Sequence, residues 1–278
     1  MGAAALALLG ALSWGTGDFF GGLASRKAHV LTVLALSQAV GLVGVLGWAL
    51  ASGASVPGAG DALPAAGAGA AGAVGLAALY RGMAVGAMGI VAPISAVSPA
   101  VPLAVDAARG VVPSALQWGG IASAMAGVVL LAREPSGSRG TGLAAGVSLA
   151  LVAALGFGLF VVGLDAASDG GATWAVVIAR ATSTALSLAA LLALAAPIRP
   201  PTGLLPTIAL VGVFDTTANV LVAVATTRGS AGVVAVLSAL YPLATIALAR
   251  LFLAERLARG HRVGGVLALG GAALVAVG

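Results

Sequence analysis

Three ionisable residues, Asp18, Arg180 and Asp215, stand inside stretches otherwise apolar enough to cross a membrane. A charge at bilayer depth costs about 2.5–3.5 kcal/mol on insertion scales, so such residues face the protein interior and mark sites of use. Asp18 follows Trp14 by four residues, and Asn219 follows Asp215 by four, so each pair shares one helix face. A carboxylate at that depth binds either a substrate amine or a coupling proton. An arginine presents a planar fork of donors that fits a carboxylate. Together the three groups suit a zwitterion such as an amino acid. The competing reading is that Arg180 and Asp215 pair with each other and only lock two helices.

Softer candidates surround them. Gln38, Tyr80, Ser95 and Ser98 are polar groups within apolar runs, although a serine there often bonds its own backbone or a neighbouring helix. Ser238 and Tyr241 belong to the run Ser238-Ala239-Leu240-Tyr241-Pro242. A proline bends its helix and frees a carbonyl one turn back, and freed backbone groups facing a cavity bind ligand. Trp14 and Phe157 occupy matching places in the two halves of the chain and read as cavity walls or gates, with plain packing as the alternative.

These residues must be held by helices, because composition allows little else. Hydrophobic residues make up 60% of the 278 positions and charged residues 8%, against about 25% charged in a soluble domain. The solvent for this surface is lipid. A helix needs about 20 apolar residues to cross the hydrocarbon, and ten such stretches fit, at 3–22, 30–51, 64–82, 88–107, 115–132, 141–163, 172–195, 204–226, 231–252 and 262–277.

The chain also repeats itself. Shifted by 143 positions, Leu6, Trp14 and Gly15 fall on Leu149, Phe157 and Gly158, and Ser95, Ala96 and Pro99 fall on Ser238, Ala239 and Pro242. The expected organisation is one five-helix repeat over 1–132, a loop over 133–140 and a second repeat over 141–278. Five is odd, so the second copy runs inverted. This gives an all-α polytopic membrane protein of ten transmembrane helices in two inverted repeats, a build shared by secondary transporters with sites between the halves. The site is expected on spans 1, 3, 4, 6, 8 and 9, and the proline-bearing spans 4 and 9 are the expected moving parts.

Ser13-Trp14-Gly15 near the start, Ser238-Ala239-Leu240-Tyr241-Pro242 in the ninth stretch and Ala254-Glu255-Arg256-Leu257 after it resemble the EamA family of the drug/metabolite transporter superfamily. The last motif is similar to that family's Gly-Glu-Arg-Leu loop, with Ala254 in place of the glycine. The matching loop of the first half, Arg109-Gly110-Val111-Val112-Pro113, has no glutamate. The resemblance implies transport of small metabolites, often export of amino acids or related compounds, and both termini in the cytoplasm. The basic residues argue the opposite orientation: ten lie in odd-numbered connections and only Arg109 and Arg228 in even-numbered ones, which places both termini outside.

The expected function is alternating-access movement of an amino acid or related amine or zwitterion across the cell (cytoplasmic) membrane. Its partners are that solute, the bilayer and either a coupling proton or another ion. The net charge of +5 comes from helix-end arginines rather than a nucleic-acid face. No Walker-type motif, no His-Glu metal spacing and no cysteine is present, so no cofactor, metal or ATP is expected. The rivals are an intramembrane transferase, which would need an acidic or histidine cluster at one surface, and a channel.

Overall fold

A computed structural model describes residues 1–25, 27–85, 95, 97–131, 143–253 and 259–277. Among these residues the regular structure is entirely helical: α1 Ala3–Ser25, α2 Val30–Ala51, α3 Ala59–Val85, α4 Ala100–Ala108, α5 Ala115–Leu131, α6 Leu143–Ser168, α7 Ala172–Ala193, α8 Leu205–Thr226, α9 Ala231–Ser238, α10 Tyr241–Leu253 and α11 Arg259–Val277. Six of them, α1, α2, α3, α6, α7 and α8, are long and apolar enough to span a bilayer. The 133–140 loop and the Ala254-Glu255-Arg256-Leu257 motif lie outside the described residues.

Several elements differ from the sequence expectation: α6 runs on to Ser168, and in the fourth stretch, expected as one helix over 88–107, residues 97–99 form a turn and α4 begins only at Ala100. The helix α3 begins at Ala59, and Pro64 stands inside it rather than before it. A proline so near a helix start removes only one ladder bond, and Asp61 in the first turn favours the positive end of the helix dipole. The ninth stretch, expected as one helix over 231–252, breaks between Ser238 and Tyr241. Pro242 has no N–H for the Ser238 carbonyl and its ring crowds that turn. Two acceptors fix the start of α9: the Ser230 side chain accepts from the Val233 N–H, and the buried Asp106 carboxylate accepts from the Gly232 N–H at 2.6 Å.

Helix pairing follows the repeat. α1 packs on α8 and α3 on α6, so the first helix of each half meets the third helix of the other. α2 packs on α7 and α5 on α11, each a helix against its own counterpart, and α4 packs on α9, the fourth stretch against the ninth. Close approach along these seams depends on glycine. Gly15 faces the Tyr241 carbonyl of α10, and its counterpart Gly158 faces the Ser98 carbonyl, where a Cβ would come within 2.7 Å of the oxygen. Tyr241 and Ser98 are themselves 143 apart, so the contact is made twice.

The two ends of the bundle are packed differently. At the end bearing the chain termini, one continuous apolar cluster joins Leu6 of α1, Ala49 of α2, Ala65 of α3, Leu164 of α6, Val222 of α8 and Val234 of α9. At the opposite end the apolar contacts among the described residues divide. Ala24, Val33, Leu204 and Ile208 form one group, Ala35, Leu191 and Ala196 another, and Ala78, Leu79, Ala150 and Ala153 a third.

Candidate functional site

A cavity of about 130 Å³ lies between the two halves. Arg180 and Asp215, which contribute to it, fall near the middle of 22-residue helices. Arg180 is the centre of its polar side and is only 3% exposed. Its Nη1 donates to Asp215 Oδ2 at 2.5 Å and to Gln38 Oε1. Ser183 donates to the same Gln38 oxygen at 3.1 Å. Asp215 keeps 30% of its side chain exposed. The expected alternative, an Arg180–Asp215 pair, is therefore present, yet it uses only one nitrogen of the guanidinium. Arg180 Nε and Nη2 are buried with no partner among the described residues.

The other polar groups converge on the same space. Trp14 Nε1 donates to Asn219 Oδ1 at 2.9 Å and so fixes the amide beside Asp215. Asp18 lines the cavity one turn after Trp14. Tyr241, Ser238 and Ala239 line it where the helix breaks before Pro242. Ser98 and Phe157 complete the expected set in the lining. Ser95 is fully buried behind it, in hydrogen-bonding contact with the Tyr241 hydroxyl. Tyr80 belongs to α3, but its side chain lies outside the described residues.

The lining is wider than the six spans expected. The second and seventh spans also reach it, through Gln38 on α2 and through Ala179, Arg180 and Ser183 on α7. Sequence reasoning also missed the opposite wall. Gly69, Gly72, Leu76 and Leu79 of α3 and Phe160 and Val161 of α6 face the polar cluster. Phe160 lies against Trp14, ring centroids 6.4 Å apart and planes inclined by 59°.

The repeat supplies the missing signal. At a shift of 143, Asp18 falls on Val161, Asp215 on Gly72 and Asn219 on Leu76. Across the second span the shift drops to 142, since α2 covers Val30–Ala51 and α7 covers Ala172–Ala193, and Gln38 falls on Arg180. Each of these four polar residues has a counterpart in the same cavity, so applying the shift to them finds Val161, Gly72 and Leu76 of the apolar wall.

No group of three or more His, Asp or Glu that could hold a metal occurs among the described residues. The arrangement offers donors and acceptors for a solute and no nucleophile-and-base pair.

Fold and site together define a multi-pass helical membrane protein, built from two related halves around a polar cavity. The sequence profile of the EamA-like transporter family matches residues 1–133 and 144–277, one match per half. The chain belongs to that family, whose members are membrane transporters. Comparison with curated proteins gives no match. A crystal structure superposes with a TM-score of 0.80 at 17% identity, over 99% of this chain and 96% of the other, a likeness that shows the fold.

Proposed function

We propose that the protein is a secondary carrier of small zwitterionic metabolites, amino acids or close relatives, working by alternating access in the cell membrane. One observation carries this reading. A buried arginine, which lines a cavity together with Asp18 and Asp215, holds two donor nitrogens, Nε and Nη2, without a partner among the described residues. An orphaned buried donor costs about 1–3 kcal/mol and more when charged. A carboxylate that accepts from both nitrogens removes that cost in a bidentate geometry lysine does not offer. Asp18, which Arg180 does not neutralise, is placed to take the amine of the same solute or a coupling proton.

Alternating access is supported by the reciprocal pairing of the two halves. The proposed architecture is ten spans: a repeat over 1–132 and an inverted one over 141–278, joined by the 133–140 loop. One half closes on the site from one side while the other opens it. The break before Pro242 lets α10 move relative to α9 without tearing a continuous helix.

Uptake of radiolabelled amino acids into proteoliposomes tests the reading. The expected result is saturable flux that Arg180→Lys and Asp18→Asn each lower at least tenfold. Absence of flux for every amino acid tried, or flux that does not saturate, overturns it.

A further inference from the structure

We propose that the cavity is built for amphipathic zwitterions, amino acids with a bulky apolar side chain, held in one fixed orientation; this rests on the carrier reading above. Two equivalent walls carry unequal residues. Asp18, Asp215 and Asn219 have Val161, Gly72 and Leu76 as their counterparts in the other half, and all six line the same space. Among the described residues the charged groups of the lining are therefore confined to α1, α7 and α8. The wall made by α3 and α6 carries hydrocarbon and aromatic surface instead. A symmetric site would accept a solute either way round; this one separates a head-binding side from a body-binding side.

Geometry limits the body. Phe160 presses on the position of Gly72, where an added Cβ would lie 3.0 Å from its ring, and Leu76 stands where the other half has its amide. The space of about 130 Å³ is close to cavities of about 150 Å³ that admit benzene. A ring or a four-carbon chain fits; a large polar side chain would strip its water against Leu76, Phe160 and Val161 with nothing to replace it. Each methylene of the solute buried on this wall should tighten binding about fourfold.

The test is a homologous series in proteoliposomes of the full chain: alanine, 2-aminobutyrate, norvaline and norleucine, with glycine, serine and pentylamine alongside. The proposal expects half-saturation to fall about fourfold per added methylene up to norleucine, with serine near alanine and pentylamine, which lacks the carboxylate, at least tenfold weaker. Leu76→Asn, which gives α3 the residue α8 has, should flatten the series. A flat or reversed series, or serine equal to norleucine, overturns the orientation and leaves the carrier reading standing. Loss of uptake for every member removes the carrier reading beneath it. A steep series unchanged in a monodisperse Leu76→Asn protein overturns the assignment of this wall, and if that variant fails to fold the parent series alone decides.

Discussion

Gln38 and Arg180 are counterparts in the two halves, and they touch: Arg180 Nη1 donates to Gln38 Oε1. Residues at equivalent positions meet only where the relation between the halves brings a site onto itself, so this contact marks the line about which the repeats exchange. It also explains why one half carries the cation and the other an acceptor. Two arginines on that line would repel each other in a cavity with little water.

The contact makes an exchange experiment informative. Arg180→Gln should lower stability by about 1–3 kcal/mol, because Asp215 loses its ion partner but keeps partial exposure. Adding Gln38→Arg returns a cation to the same line and should recover at least half of the loss. Thermal unfolding in detergent of the two single variants and the double variant reads this directly. No recovery would mean that the two positions are not interchangeable.

The two acids should separate by readout. Asp215 is bonded to Arg180, whereas Asp18 has no hydrogen bond or ion pair among the described residues. Asp215→Asn should therefore lower the melting temperature by several degrees. Asp18→Asn should leave the unfolding free energy within about 0.5 kcal/mol of the parent while abolishing the melting shift caused by a bound amino acid. Equal melting losses for both would contradict the placement of Asp18 as a group free to meet the solute.

Glycine contacts predict an asymmetric tolerance to methyl groups. Gly15→Ala and Gly158→Ala push a Cβ into the Tyr241 and Ser98 carbonyls, and overpacking of this kind costs about 1–3 kcal/mol. Gly44→Ala and Gly47→Ala meet nothing within 4 Å and should be neutral or stabilising by up to about 1 kcal/mol, since alanine is the better helix former. Unfolding midpoints of the four variants check the contrast.

The unequal packing of the two ends predicts unequal access. Leu79 lines the cavity, while Val222, its counterpart 143 positions on, is fully buried in the continuous cluster at the terminus-bearing end. The sequence contains no cysteine, so single substitutions report cleanly. A membrane-impermeant maleimide should label Leu79→Cys at least tenfold faster than Val222→Cys, and only from the face away from the termini. Equal rates would show that the cavity is closed at both ends or open at both.

Much of the fold is legible because its markers are not leucine or alanine. Tryptophan, serine, proline and paired glycines stand out against an apolar background, and they give the repeat and the family. The polar side of the cavity is legible for the same reason: Asp18, Arg180 and Asp215 cost too much in lipid to face it, and they line the cavity instead. The apolar wall is not, since Leu76 and Phe160 look like every other lipid-compatible residue until their polar counterparts are known. The link between Gln38 and Arg180 is hidden by the change of shift from 143 to 142. The break in the ninth span follows from Pro242, but proline alone does not say whether a helix bends or separates.

The hydrocarbon face of α3 and α6 carries a last consequence. A carrier with identical walls would work equally well driven forwards or backwards. On the carrier reading, unlike walls let half-saturation differ between the two sides of the membrane, while the gradients of cargo and of any coupled ion still decide which way net traffic runs.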